Sequence, residues 1–191
     1  MPQPAQQRAD ALKNREVILR AAHDALAESP NASLNSIAKR AGVGPGTLYR
    51  HFPTREALIL EVHRHDVERL VAAVPELLAS HAPMDAFRSW FTTLTSYIRI
   101  KHGLGEALNS AAAQEAVSAA WPPVTAAVGR LLRACEEAGE VRPGIDPVDV
   151  IMLMSCLWRT ADTAEGQAQA RRLMDLAVMG LGPSAGDRPG T

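Results

Sequence analysis

Cysteines and aromatic side chains are scarce in this chain: two cysteines, with Phe, Trp and Tyr together only 4% of 191 residues. Cys135 and Cys156 show no CxxC spacing, which excludes a disulfide framework and a cysteine-built metal site and leaves two buried free thiols as the reading. Alternating runs of β-branched and polar residues are also missing, while Ala and Leu abound, so the expected fold class is all-α. The longest apolar run, Val150 to Trp158, is broken by Ser155 and falls short of the ~20 residues that a membrane span needs. Met1 to Asp10 is polar and lacks the apolar stretch of a secretory signal, so the expectation is a cytoplasmic protein with no membrane partner. Net charge is almost absent too, at −1. Its distribution is uneven: the N-terminal third holds the excess of base, and between Ser29 and Arg55 there is no Asp or Glu at all, only the cations Lys39, Arg40, Arg50 and Arg55. A surface that faces phosphates needs that local bias, whatever the net charge of the whole.

The same acid-free stretch carries the most informative pattern. Leu34, Ile37, Ala38 and Ala41 recur at the spacing of one buried helical face, and Ser33 stands before them as an N-cap. Gly42-Val43-Gly44 breaks the helix. Pro45 then fits the first turn of a second short helix carrying Thr47, Leu48, Tyr49, Arg50 and His51. Two short helices joined by a glycine-containing turn outline a helix-turn-helix over about residues 33–52, the second helix being the one that enters a major groove.

Ile37-Ala38-x-x-Ala41-Gly42-Val43, Gly46-Thr47-Leu48-Tyr49-x-His51-Phe52 and Arg55-Glu56-Ala57-Leu58, in that order and register, resemble the N-terminal domain of tetracycline-repressor (TetR) family regulators. The likeness covers roughly residues 12 to 72. It implies that Thr47, Tyr49, His51 and Arg55 grip the DNA backbone, which positions the protein without reading sequence. It also implies that Gly44, Pro45, Gly46 and Arg50 approach base edges or neighbouring phosphates. Ser33 and Lys39 complete the candidate DNA-facing set, while Leu48 and Phe52 read as core. The chain departs from the family at the turn, where a common Ser is Gly44, and just after it, where a common Lys or Arg is Pro45. Operator preference therefore does not carry over.

A first helix is expected from about Ala11 to Glu28, stopped by Ser29-Pro30-Asn31. Thr54 caps a fourth helix, and Pro75 either kinks that helix or ends it near Val74. The domain organisation expected is a DNA-binding domain over 11–72, a helical ligand-binding and dimerisation domain over 73–181, and a Pro/Gly-rich disordered tail over 182–191. In the second domain, Trp121-Pro122-Pro123 is expected to interrupt a helix, Gly139 to close the next one and Asp146-Pro147 to start another that runs to Thr160. A last helix spans roughly Glu165 to Leu181. Trp90, Phe91, Leu94, Tyr97, Trp121, Met152 and Trp158 are candidate lining for a ligand pocket, which points to an apolar or aromatic effector. Leu153, Leu157, Leu173, Leu176 and Gly180 are candidates for a dimer interface.

Gly42-x-Gly44-x-Gly46 follows a helix rather than a strand and has the wrong spacing for a dinucleotide site. His63, His65 and Asp66 read as a solvated helix face, because i, i+2 residues do not face one another, so no metal or other cofactor is expected. The resemblance thus implies a homodimeric repressor on double-stranded palindromic operator DNA, released by a small-molecule effector. Two other readings stay open: a constitutive DNA-binding protein whose C-terminal domain only dimerises, and a helical enzyme, for which Arg99, Lys101 and His102 are the weak candidates.

Overall fold

A computed structural model describes residues 4–29, 31–103, 111–161 and 163–183. Among them there are helices and no strands: α1 (Pro4–Glu28), α2 (Leu34–Arg40), α3 (Pro45–His51), α4 (Arg55–Ala72), α5 (Val74–Ser80), α6 (Pro83–Gly103), α7 (Ala111–Glu137), α8 (Pro147–Met154) and α9 (Ala164–Leu181). The fold class is all-α, as the composition predicts. Residues 184–191 of the expected tail and residues 104–110 lie outside the described residues, as do the side chains of Arg99, Lys101 and His102.

The chain divides into two compact units, Met1–Asp66 with Ile100–Ser118, and Val67–Arg99 with Ala119–Thr191. This differs from a single cut near residue 72, since α4, α6 and α7 each contribute residues to both. In the first unit Ile18, Leu19, Ala22, Ile37, Ala38, Leu48, Phe52, Leu58 and Val62 form one buried cluster. Each fully buried aliphatic or aromatic side chain there contributes about 1.5–3 kcal/mol relative to exposure. The second unit is built around Phe87, Trp90, Phe91, Val128, Leu131, Val150, Ile151 and Met154. Phe87 and Phe91 pack with centroids 4.7 Å apart, and Trp90 meets Phe91 edge-on at 5.1 Å.

Local chemistry explains most helix ends. Ser33 caps α2 by accepting a hydrogen bond from the Ser36 N–H at 3.1 Å. Gly42, at φ +68°, closes α2: its N–H donates to the Lys39 carbonyl and the Val43 N–H to the Ala38 carbonyl, at 3.2 and 3.0 Å. That pair of bonds is a Schellman motif. Gly139, at φ +71°, closes α7 with the same pair, to Glu136 and Cys135. Asp146 caps α8 through the Val148 N–H at 2.7 Å, with Pro147 in the first turn.

Several sequence expectations need correction. Helix α1 begins at Pro4 rather than near Ala11. Pro75 ends the fourth helix instead of kinking it: α4 stops at Ala72 and Pro75 lies in the first turn of α5. Proline there has no N–H for the Val71 carbonyl, and its ring crowds that carbonyl. Pro122 and Pro123 do not interrupt a helix but sit inside α7. The carbonyls they leave without donors belong to Ser118 and Ala119, both exposed and open to water, while Val124, Ala127, Val128 and Leu131 bury the next turns and hold the axis. The helix starting at Pro147 does not remain α-helical to Thr160; it tightens into a 3-10 stretch over Ser155–Arg159.

Candidate nucleic-acid interface

The inner face of the helix-turn-helix is fixed by Leu48, fully buried, and Phe52, nearly so. With those two residues anchored, helical geometry turns Tyr49 and Arg50 outward, and both are exposed. Tyr49 keeps 45% of its surface accessible on a seven-residue helix whose inner side is packed. Gly44, Pro45 and Gly46 are exposed at the start of α3, and no atom lies within 4 Å of where a side chain would begin on either glycine. Ser33 and Lys39 are exposed on α2, while Thr47, His51 and Arg55 are half-buried. All ten candidate DNA-facing residues thus belong to the α2–α3 corner or the start of α4. Arg50 folds back along α3, its Nε donating to the Gly46 carbonyl at 3.1 Å.

Ion pairs sort the cations of this unit. Arg40 makes a two-pronged bond to Glu28 at 2.6 and 2.7 Å, tying α2 to α1. The Arg40 hydrogen bond and charge hold the Glu28 carboxyl below its ordinary range. Arg15 and Arg64 converge on Glu61, tying α1 to α4, and the Arg15 guanidinium also lies 5.8 Å from the Phe52 ring centroid. Burial pushes the Glu61 carboxyl up, but the two guanidiniums outweigh it and hold the group low. Lys39, exposed on α2, has no carboxylate partner among the described residues.

One residue that sequence reasoning misplaced completes the scaffold. Asp66 is buried rather than solvated, and its Oδ2 lies 2.9 Å from Nδ1 of His23, a second link between α1 and α4. The pairing spans 43 residues, so nothing in the local pattern announces it. No cluster of three His, Cys, Asp or Glu residues placed to hold a metal occurs among the described residues.

In the second unit, an open cleft of about 530 Å³ lies between α6, the 3-10 stretch and α9. Arg88, Thr92, Thr95, Ser96, Leu157, Gln167, Ala170, Arg171, Met174 and Asp175 line it, and none of the seven candidate pocket residues does. Trp90, Phe91 and Leu94 are core instead, and the Trp90 indole N–H donates to the Leu70 carbonyl at 2.9 Å. Tyr97 and Trp158 are half-buried against that core. Trp121 and Met152 are exposed. Among the dimer candidates, Leu153, Leu176 and Gly180 are exposed and Leu173 is half-buried, whereas Leu157 is buried on the cleft floor. Arg88, Thr92, Thr95 and Ser96 recur at helical spacing on one side of α6, and that polar stripe was the signal for the cleft.

An exposed second helix on a packed helix-turn-helix, followed by an all-helical unit, defines a DNA-binding regulator of transcription. Comparison with known proteins gives the family. Residues 18–62 match the family model described as bacterial regulatory proteins, tetR family, and residues 82–183 match that of the transcriptional regulator SbtR-like C-terminal domain. The chain belongs to the TetR family of transcriptional regulators, whose domains are those of regulators and not of enzymes. The solved TetR regulator SCO0520 from Streptomyces coelicolor is 38% identical and superposes with a TM-score of 0.80 over 90% of this chain and 99% of that one. The regulator SAR0097 of Staphylococcus aureus is 30% identical over 53% of this chain and 55% of its own length. The repressor LfrR of Mycolicibacterium smegmatis is 38% identical over 39% of each. The chain therefore spans about half or less of the curated relatives it first matches.

Proposed function

We propose that this regulator is a repressor that binds a palindromic operator as a homodimer and leaves it when a small molecule enters the C-terminal unit. The observation that carries the reading is the pairing of two exposed features. One is the outward face of α3, with Tyr49, Arg50 and the bare Gly44-Pro45-Gly46 corner. The other is an apolar stripe on neighbouring helices α8 and α9, where Met152, Leu153, Leu176 and Met179 are between 49% and 69% exposed. Large apolar side chains grouped this way call for a covering surface, and the occupant we assign is the same stripe of a second copy. Members of the family bind DNA and dimerise. A dimer supplies two recognition helices about one helical turn (~34–36 Å) apart, which a single helix-turn-helix needs for useful specificity.

Ser33, Lys39, Gly44, Pro45, Gly46, Thr47, Tyr49, Arg50, His51 and Arg55 form the DNA-facing set, within a DNA-binding domain of residues 11–72. Repression is supported by likeness to LfrR, which is named a repressor. The test is a footprint on DNA flanking the protein's own gene, repeated with a metabolite panel. Protection of two half-sites, lost with one of the metabolites, is the expected result. Protection that no metabolite disturbs favours a constitutive DNA binder.

A further inference from the structure

The lining of the α6–α9 cleft carries a chemical preference that differs from the apolar effector expected from the aromatic residues. Its floor is apolar, made by the buried Leu157 and Met174 with Ala170 beside them. Its walls hold two arginines and one aspartate, a local charge of +1. Arg88 donates to Asp175 across the cleft at 2.6 Å, and both side chains are partly open to solvent, which makes this a weak and exchangeable pair. Arg171, also exposed, has no carboxylate partner among the described residues.

The hydroxyls divide by what they have left to offer. Thr92 Oγ1 donates to the Arg88 carbonyl and Thr95 Oγ1 to the Phe91 carbonyl, both at 2.8 Å, so each keeps only acceptor capacity toward the cleft. Gln167 and Ser96 are exposed and supply the other polar contacts.

We infer that this cleft binds a small monoanionic carboxylate with a short aliphatic body, held by Arg171 and by Arg88 once Asp175 gives it up. The guanidinium fork matches a carboxylate in two-pronged geometry, and a local charge of +1 suits one negative charge better than two. The aliphatic body lies on Leu157, Met174 and Ala170, and a ligand hydroxyl would donate to Thr92 or Thr95. On α9 the cleft residues Gln167, Ala170, Arg171 and Met174 lie on the side away from the exposed Leu176, while Asp175 marks the edge of the cleft, one turn before Met179. This inference rests on the effector reading only in treating the ligand as the releasing signal.

The experiment is calorimetric titration of the full chain with butyrate, hexanoate and octanoate, with hexanol and hexylamine as neutral and cationic controls. At least one carboxylate should bind saturably, and both controls at least tenfold more weakly. Arg171→Gln should weaken the carboxylate at least tenfold, and Asp175→Asn, which frees Arg88, should tighten it several-fold. Arg171 is exposed and outside the core, so the variant should fold, and circular dichroism with retained DNA binding checks this. No saturable binding by any of the three carboxylates, or equal binding by parent and Arg171→Gln, overturns the assignment. Release of the protein from its upstream DNA is followed in parallel. Binding that depends on Arg171 but releases no DNA leaves the cleft standing and removes the effector reading. Release by another metabolite that is unchanged in Arg171→Gln keeps the effector reading and removes the cleft as the releasing site.

Discussion

Tyr49 and Lys39 share a condition that decides their use: each is exposed on the α2–α3 corner, and among the described residues neither spends its polar group on a partner, whereas Arg40 spends its own on Glu28. Tyr49→Ala should therefore weaken operator binding by about 1.5–3 kcal/mol, the range for a hydrogen bond to a charged group, with helix content unchanged. Lys39→Ala should weaken binding on all sequences and lower the slope of log affinity against log salt by about one. Filter-binding titrations at several salt concentrations measure both. Gly42 differs, since its constraint is conformational. A methyl there would touch nothing within 4 Å, yet φ +68° is a left-handed conformation. Gly42→Ala should thus cost about 1–2 kcal/mol in thermal or denaturant unfolding, all of it from backbone strain. These residues were readable in advance because what fixes them is local: a capping serine, a glycine that ends a helix, and an apolar pair at Leu48 and Phe52 that forces its neighbours outward.

Legibility falls where an element's outer face depends on a partner distant in sequence. Asp66 looked solvated until His23, 43 residues away, was placed beside it. Trp90 looked like pocket lining, but its indole N–H is taken by the Leu70 carbonyl and its ring fills the core. Helix α8 carries apolar residues around most of its circumference, and only the packing of Val150, Ile151 and Met154 identifies Met152 and Leu153 as the side left open. The links among α1, α2 and α4 make a prediction at this scale. Glu28 and Glu61 are both held below the ordinary carboxylate range by arginines. A depressed folded pKa contributes stability that is fully present above the unfolded value of about 4.3 and is lost as pH falls through the lower folded value. The N-terminal unit should lose stability in that acid window, and an Arg15→Gln variant, lacking one partner of Glu61, should lose less of it there. Circular dichroism melts over an acid pH series check this.

Across the whole molecule, α4 runs from Arg55, which follows the recognition helix in the chain, to Ala72, within the second unit. An effector can move the protein off DNA only through a difference in affinity for its two conformations, typically ~1–3 kcal/mol of coupling, and operator DNA must then weaken the effector by the same factor. Trp90, Trp121 and Trp158 all belong to the second unit, so intrinsic fluorescence, titrated with and without operator, reads that reciprocity. The proposed dimer holds two recognition helices in register through the α8–α9 stripe. The measurement that bears on this most directly is a footprint of parent and Leu176→Glu on DNA flanking the gene, with the mass of each in solution determined by sedimentation. Leu176 is 60% exposed, so the carboxylate is tolerated in one copy and buried without a partner only when two copies meet. The account predicts a parent dimer protecting two half-sites about one helical turn apart, and a folded monomeric variant that protects neither at the same concentration. A variant that remains dimeric, or a monomer that holds the same site as tightly as the parent, would contradict it.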